Sequence, residues 1–416
     1  MFDNIIGYDE TKKTLKMLVD VLNNTKKYKE IGSTIPHGLF IHGRPGVGKT
    51  TFVEALLKGL NRKSFVVRKN KSDGDFINYM SDVFDEAKNS QPAVILLDDL
   101  DKYSETSDSK NNEEFVAVQS LIDNVKNDDI FVIATANDRS CLPDSLTRSG
   151  RFDIIIELFI PHDEDKLKIF NYYLSNKKVD KNINVKRIVD ILISATCADL
   201  EKVCNQAGLY AKYNNKDSIG MDELIKASLE LTYGSNIDDN DKYPNYNINI
   251  AYHEAGHALI AELFEPESVR FVTICKSNTT KGFTIYKNND YYYCDIKYME
   301  YRVKSLLAGK AAIEVVYNSC DVGSSDDLSR AFNVVDRFFD DYCMDGFDGY
   351  IKNPHEVSES TKDAKDNKIR VLLTKYYQEV KELLIEHRTE LDNIAHSLND
   401  KKILFQDEIK DILKMS

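Results

Sequence analysis

Long hydrophobic runs are missing from this sequence. No stretch reaches 18 apolar residues, and the longest, such as Ile154 to Ile160, is short and broken by Glu157. A helix that spans a bilayer needs about 20 such residues. No transmembrane helix and no signal peptide are therefore expected. Positive charge is also in deficit, with 55 Lys and Arg against 68 Asp and Glu, a formal net charge of -13. Nucleic acid and anionic lipid both need a basic footprint, so neither is expected as the main partner. The 7 cysteines are odd in number and no two have CxxC spacing, so neither a thiolate zinc site nor a disulfide framework is suggested. A soluble protein of a reducing, intracellular compartment is the expectation. No internal repeat is found.

What is present is enough apolar sequence for more than one core: 416 residues, 42% of them hydrophobic. In the first third, short apolar runs (Gly38 to His42, Phe65 to Val67, Ala93 to Leu97, Asp129 to Thr135) alternate with amphipathic stretches such as Phe76 to Ser90. That alternation predicts a parallel sheet covered by helices on both faces. Helical patterns follow one another over 161–233. The polar segment 234–246, with Gly, Pro and several Asn and Asp, reads as a linker. A mainly helical domain over 247–416 follows, with strands expected at Ser268 to Cys275 and Gly282 to Tyr286. Lys352 to Asp366 has almost no apolar content and is expected to be a mobile loop.

Two motifs carry chemistry. Gly43-Arg-Pro-Gly-Val-Gly-Lys-Thr50 lies between an expected strand and an expected helix, the context of a phosphate-binding loop. Gly43, Pro45 to Gly48, Lys49 and the following Thr50 and Thr51 form the region that would cradle phosphates, through the backbone N–H groups of all but Pro45. Within it, the Lys49 amine reaches the β- and γ-phosphates of ATP, and Thr50 ligates Mg²⁺. Downstream, Ala93-Val-Ile-Leu-Leu-Asp-Asp runs an apolar strand into Asp98, placing a carboxylate where it can hold Mg²⁺ through water. Asp99 would then polarise the attacking water.

The second motif is His253-Glu-Ala-Gly-His257, in the apolar-periodic segment Ile248 to Phe264. Residues i and i+4 share a helical face, so both imidazoles can meet one Zn²⁺. Glu254 stands about 100° round the helix, placed to take a proton from the attacking water and pass it to a leaving amine. A catalytic zinc needs a third protein ligand. A third His six residues on is excluded, because position 263 is Leu.

In order and spacing, the phosphate loop, the Asp98 strand, Ile133-Ala-Thr-Ala-Asn137 and Leu146-Thr-Arg-Ser-Gly-Arg-Phe-Asp153 resemble the AAA ATPases. From His253 onward the chain resembles the peptidase of the FtsH family. The resemblance implies an α/β P-loop AAA domain (1–160) with a helical lid (161–233), followed after the linker by a mainly helical zinc metallopeptidase domain. It implies that Asn137 is a sensor of the nucleotide. Arg148 and Arg151 would act as arginine fingers on a neighbouring subunit, so the working unit would be a homo-hexameric ring. For the third zinc ligand it points to Asp327 in Gly323-Ser-Ser-Asp-Asp-Leu-Ser-Arg-Ala331, with Asp326 as fallback. Leu307-Ala-Gly-Lys-Ala-Ala-Ile-Glu314 resembles the helix facing the zinc, and Lys281 to Ile285 an edge strand that could receive substrate by backbone pairing. Cys197-Ala-Asp-Leu200 and Asn205-Gln-Ala207 resemble the second sensor region.

The implied activity is ATP-dependent unfolding, translocation and degradation of unfolded or tagged proteins. Two departures from the family leave alternatives open. Asp99 stands where a Glu is usual, setting its carboxylate back by about 1.5 Å. The expected pore loop, Asn70 to Phe76, lacks the aromatic-apolar-Gly tip and offers only Phe76. A remodelling ATPase with a peptidase domain kept as a structural or binding module is one alternative, and a peptidase indifferent to ATP is another. Family members carry N-terminal membrane anchors, so the expected location is cytoplasmic, or the cytoplasmic face of a membrane if an anchor precedes this sequence.

Overall fold

The computed structural model describes residues 1–69, 73–103, 113–147, 150–235, 244–277, 280–287, 295–319, 323–344, 346 and 358–415. The chain divides into two compact units, Met1–Leu224 and Ile225–Ser416.

Unit 1 contains β1 (Gly38–His42), β2 (Lys63–Val67), β3 (Ala93–Leu97), β4 (Ile130–Ala136) and β5 (Ile154–Glu157). They form one parallel sheet in the order β2-β3-β4-β1-β5. All residues of β1, β3 and β4 are buried, as expected for strands covered on both faces. The helices are α1 (Asp9–Asn23), α2 (Thr25–Glu30), α3 (Lys49–Gly59), α4 (Asp73–Lys88) and α5 (Glu113–Asn124), then α6 (Asp163–Ser175), α7 (Val185–Ile191) and α8 (Cys197–Tyr213). Two apolar clusters sandwich the sheet, one including Phe40, Phe76, Phe84 and Phe152, the other Phe2, Leu39, Phe52 and Leu158. The unit boundary falls inside α9 (Met221–Tyr233).

Unit 2 is built on α10 (Pro244–Phe264), α11 (Ile296–Tyr317), α12 (Ser325–Asp340), α13 (Glu359–Glu386), α14 (Arg388–Lys401) and α15 (Gln406–Met415). A small antiparallel sheet, in the order β7-β6-β8, joins β6 (Val269–Thr273), β7 (Phe283–Tyr286) and β8 (Ile403–Phe405). Among the described residues, no helix is long and apolar enough to cross a membrane.

Three expectations are corrected here. α10 begins at Pro244, so the end of the expected linker is helical. Pro244 takes the first helical position, where its missing N–H costs nothing. The expected mobile loop is helical from Glu359, while 352–357 lie outside the described residues. Ser358 caps that helix by accepting from the Thr361 N–H, and Lys362 and Lys365 pair with Glu359 and with Asp336 and Asp340. Capping and ion pairs thus support a polar helical turn that its composition disfavours. Phe76, finally, is fully buried in α4, edge-on to Tyr103 at 4.8 Å between centroids, and is no pore-loop tip; residues 70–72 lie outside the described residues.

Candidate metal centre and nucleotide site

α10 is apolar on nearly every side, with Ala251, Ala255, Ala258, Leu259 and Ile260 all buried, so it runs through the core of unit 2. A Cβ on Gly256 would lie 2.6 Å from the Ala308 carbonyl oxygen. Glycine there lets α10 and α11 approach closely. The approach brings a second glycine, Gly309 of α11, against the imidazoles of α10. A Cβ on Gly309 would stand 2.5 Å from His253 Cε1, His253 Nε2 and His257 Nε2.

The two Nε2 atoms are 3.1 Å apart, and Asp327 Oδ2, from the first turn of α12, is 3.3 Å from each. These three side chains form a group able to hold a metal ion. The fit is metric: ligands about 2.0–2.1 Å from a tetrahedral zinc stand about 3.4 Å from one another. The donor chemistry agrees. His257 Nδ1 lies 2.7 Å from the Ser305 carbonyl oxygen, which can only accept, so Nδ1 carries the hydrogen. In the neutral ring the Nε2 lone pair then points into the triangle. Burial raises the Asp327 carboxyl, but the two imidazoles beside it outweigh burial and hold the group below the usual carboxylate range. Asp326, by contrast, is largely exposed and pairs with Arg330.

Glu254 is buried beside the triangle. Its carboxyl is pushed up by burial, against the pull of His257, His253 and a 2.9 Å hydrogen bond donated by Thr284 Oγ1 of β7. The contacts of Thr284, Ser305 and Gly309 with these side chains were not found by sequence reasoning. Only Gly309 left a signal, in its small-residue helix.

In unit 1 the loop 43–50 joins β1 to α3, with Gly46 at φ 85° and Gly48 at φ 100°. A Cβ at Gly46 would meet Thr196 Oγ1 at 2.6 Å and Ala198 Cβ at 3.0 Å, and the Ala198 N–H donates to the Gly46 carbonyl at 3.1 Å. The start of α8, the expected second sensor region, thus packs on the phosphate loop. Pro45 is exposed and Val47 buried, and Thr50 and Thr51 are exposed in the first turn of α3. Lys49 Nζ donates to the Gly43 and Arg44 carbonyls at 2.7 and 3.3 Å and to Asn137 Oδ1 at 2.8 Å. Burial pushes the Lys49 amine down, offset in part by Asp101, Asp99 and Asp98.

Asp98 accepts from Thr135 Oγ1 and Arg68 Nε, both at 2.8 Å. Asp99 has a left-handed backbone, φ 53°, and its carboxylate accepts from Lys102 Nζ at 2.6 Å. Arg151 donates two hydrogen bonds to Asp123, at 3.1 and 2.7 Å, and one to the Ser145 carbonyl. Arg148 lies outside the described residues. The structure therefore brings together Lys49, Asn137 and the acids after β3 in unit 1, and His253, Glu254, His257 and Asp327 in unit 2.

Both regions match known protein families. Residues 39–159 match the ATPase family associated with various cellular activities (AAA), and residues 244–412 match peptidase family M41. The chain is 27% identical to the ATP-dependent zinc metalloprotease FtsH 2 of Thermoanaerobacter sp. (strain X514), over 98% of this chain and 82% of that protein. It is 28% identical to the ATP-dependent zinc metalloprotease FtsH of Thermobaculum terrenum (99% of this chain, 68% of that one) and 27% identical to that of Thermus thermophilus (99% and 70%). The chain belongs to the FtsH-like AAA zinc metalloproteases. The α/β ATPase fold followed by a mainly helical peptidase region is the fold of such a protein, and Zn²⁺, ATP and Mg²⁺ are its cofactors. Within that frame the glycine at 309 and the three-atom triangle on α10 and α12 belong to the M41 region, and the Lys49–Asn137 contact to the AAA region.

Proposed function

We propose that this chain hydrolyses ATP to unfold and move protein substrates and cuts them at a zinc centre held by His253, His257 and Asp327. The observation that carries the reading is the triangle of Nε2, Nε2 and Oδ2 with edges of 3.1–3.3 Å beside a buried glutamate. Zinc bound there supplies a Lewis acid that polarises the scissile carbonyl and makes water acidic enough to attack near neutral pH. Glu254 accepts the proton of the attacking water as the water oxygen bonds to the carbonyl carbon. It then returns that proton to the amine nitrogen as the C–N bond breaks. Thr284 fixes the orientation of the Glu254 carboxylate. β7 lies at the edge of its sheet, where an extended substrate can pair with its backbone.

On the motor side, the phosphate loop with Lys49 and Thr50 holds the nucleotide, Asp98 holds Mg²⁺ through water, and Asn137 senses the γ-phosphate. Arg151, oriented by Asp123, and Arg148 are read as fingers reaching a neighbouring nucleotide, which makes the working form a ring, a homo-hexamer by family resemblance. Residues 161–233 act as its lid. Unfolded or tagged proteins are the substrates.

The Asp99 contact with Lys102 and the burial of Phe76 favour a second reading, a peptidase whose motor is idle. Degradation of casein, measured with and without ATP and again after zinc chelation, separates the two. The first reading requires both ATP and zinc. Cleavage that survives chelation, or survives Glu254→Gln, removes the peptidase assignment, and cleavage unchanged by Lys49→Ala favours the second.

A further inference from the structure

Three acids follow β3, and they are not equivalent. Both Asp98 oxygens are engaged, one by Thr135 and one by Arg68. Asp99, the residue next in sequence, is turned by its left-handed backbone onto Lys102, and its carboxylate is more than a third exposed. Asp101, in the short 3-10 turn Leu100–Tyr103, has a different partner. Its Oδ2 accepts from Asn137 Nδ2 at 2.8 Å, and the Oδ1 of the same Asn137 accepts from Lys49 Nζ at 2.8 Å. A continuous hydrogen-bonded chain thus runs from the phosphate-loop lysine through Asn137 to Asp101. The other carboxylate oxygen, Asp101 Oδ1, is buried and has no hydrogen-bond partner among the described residues. A buried carboxylate oxygen without a partner is costly and calls for an explanation. A base held by a third group, with one oxygen kept for the reacting proton, is the arrangement that activates a nucleophile.

Resting on the reading of unit 1 as an ATPase, we propose that Asp101, not Asp99, is the carboxylate that activates the water attacking ATP. Asn137 orients Asp101 through Oδ2 and leaves Oδ1 for the water. As the water oxygen bonds to the γ-phosphorus, the bond from that phosphorus to the β,γ-bridging oxygen breaks. Its electron pair leaves with ADP, and the proton released by the water passes to Asp101 and then to phosphate or solvent. The shorter side chain at position 99 is then of little consequence, because the reacting carboxylate comes from two residues further on.

The test is ATP hydrolysis by the full chain at saturating Mg-ATP, with binding of a fluorescent ATP analogue measured in parallel. Asp101→Asn can still accept from Asn137 but cannot take a proton. It is expected to lower kcat by about 100-fold or more while the analogue still binds with near wild-type affinity. Asp99→Asn is expected to lower kcat by less than about fivefold, the scale of a lost exposed ion pair. Asp101→Glu, which restores a carboxylate, should recover a substantial part of the activity lost in Asp101→Asn. A larger loss in Asp99→Asn than in Asp101→Asn overturns the proposal, as does a Glu variant no better than the Asn variant. Lys49→Ala serves as the separate check: wild-type hydrolysis in that variant would remove the ATPase reading itself.

Discussion

His253 and His257 present their Nε2 atoms to each other at 3.1 Å, with Ser305 holding the far nitrogen of His257 protonated. Two ring nitrogens and a carboxylate oxygen converging this closely form a donor set suited to a bound cation. The donors and their spacing fit a zinc ion.

Asp327 is the corner of that triangle contributed by a distant segment. Asp327→Ala is expected to weaken zinc binding by more than about 100-fold, beyond the range seen for groups that only support a ligand. Competition against a chromogenic chelator measures this. Full zinc occupancy in Asp327→Ala, with loss in Asp326→Ala, would reassign the ligand.

Gly309→Ala places a methyl 2.5 Å from both imidazoles. The rings must turn aside or α11 must retreat, at a cost of about 1–3 kcal/mol for an overpacked contact. Zinc content and casein cleavage should both fall while ATP hydrolysis is retained. A fully active Gly309→Ala protein would mean that the two helices are not held this closely in solution.

Thr284→Val removes the donor that faces Glu254 Oε2 and keeps nearly the same shape. A buried carboxylate then loses its hydrogen bond and the restraint on its rotamer. Cleavage is expected to slow by about tenfold, on the order of 1.4 kcal/mol, with zinc content unchanged. Thr284→Ser, which restores the hydroxyl, should recover most of the rate.

Asp123 carries a pH signature. Hydrogen bonds from Arg151 bring its carboxyl down to about 2 from an ordinary value of 3.8. A lowered folded-state value means stability that is present above the unfolded value and is lost as the pH falls towards 2. The carboxylate is more than a third exposed, so solvent screening keeps the effect within about 1 kcal/mol. Urea midpoints of the wild type and Asp123→Ala should differ at pH 6 and converge as the pH approaches 2. A constant gap across that range would mean that the variant acts through packing.

The residues that carry chemistry by type and spacing were legible without coordinates. The phosphate loop and His253-Glu-Ala-Gly-His257 each announce themselves within a few residues, whereas Asp327 was indicated only by resemblance to a known family, with Asp326 beside it. The parallel sheet was legible for a similar reason, since strands buried on both faces read as apolar runs. β8 was not, because three residues carry no period. The first turns of α13 were hidden because a polar helix held by a cap and ion pairs looks like loop in composition. Thr284, Ser305 and Asp101 could not be ranked from sequence at all: each matters only through an atom of another element that folding brings within hydrogen-bond reach.

The zinc corner atoms come from α10 and α12, and α11 must lie flush against the rings for Gly309 to fit. A chain still emerging or partly unravelled has the histidines but lacks the carboxylate and the wall behind them. Proteolytic competence is therefore tied to the docking of α10, α11 and α12 on one another, not to the histidine motif alone.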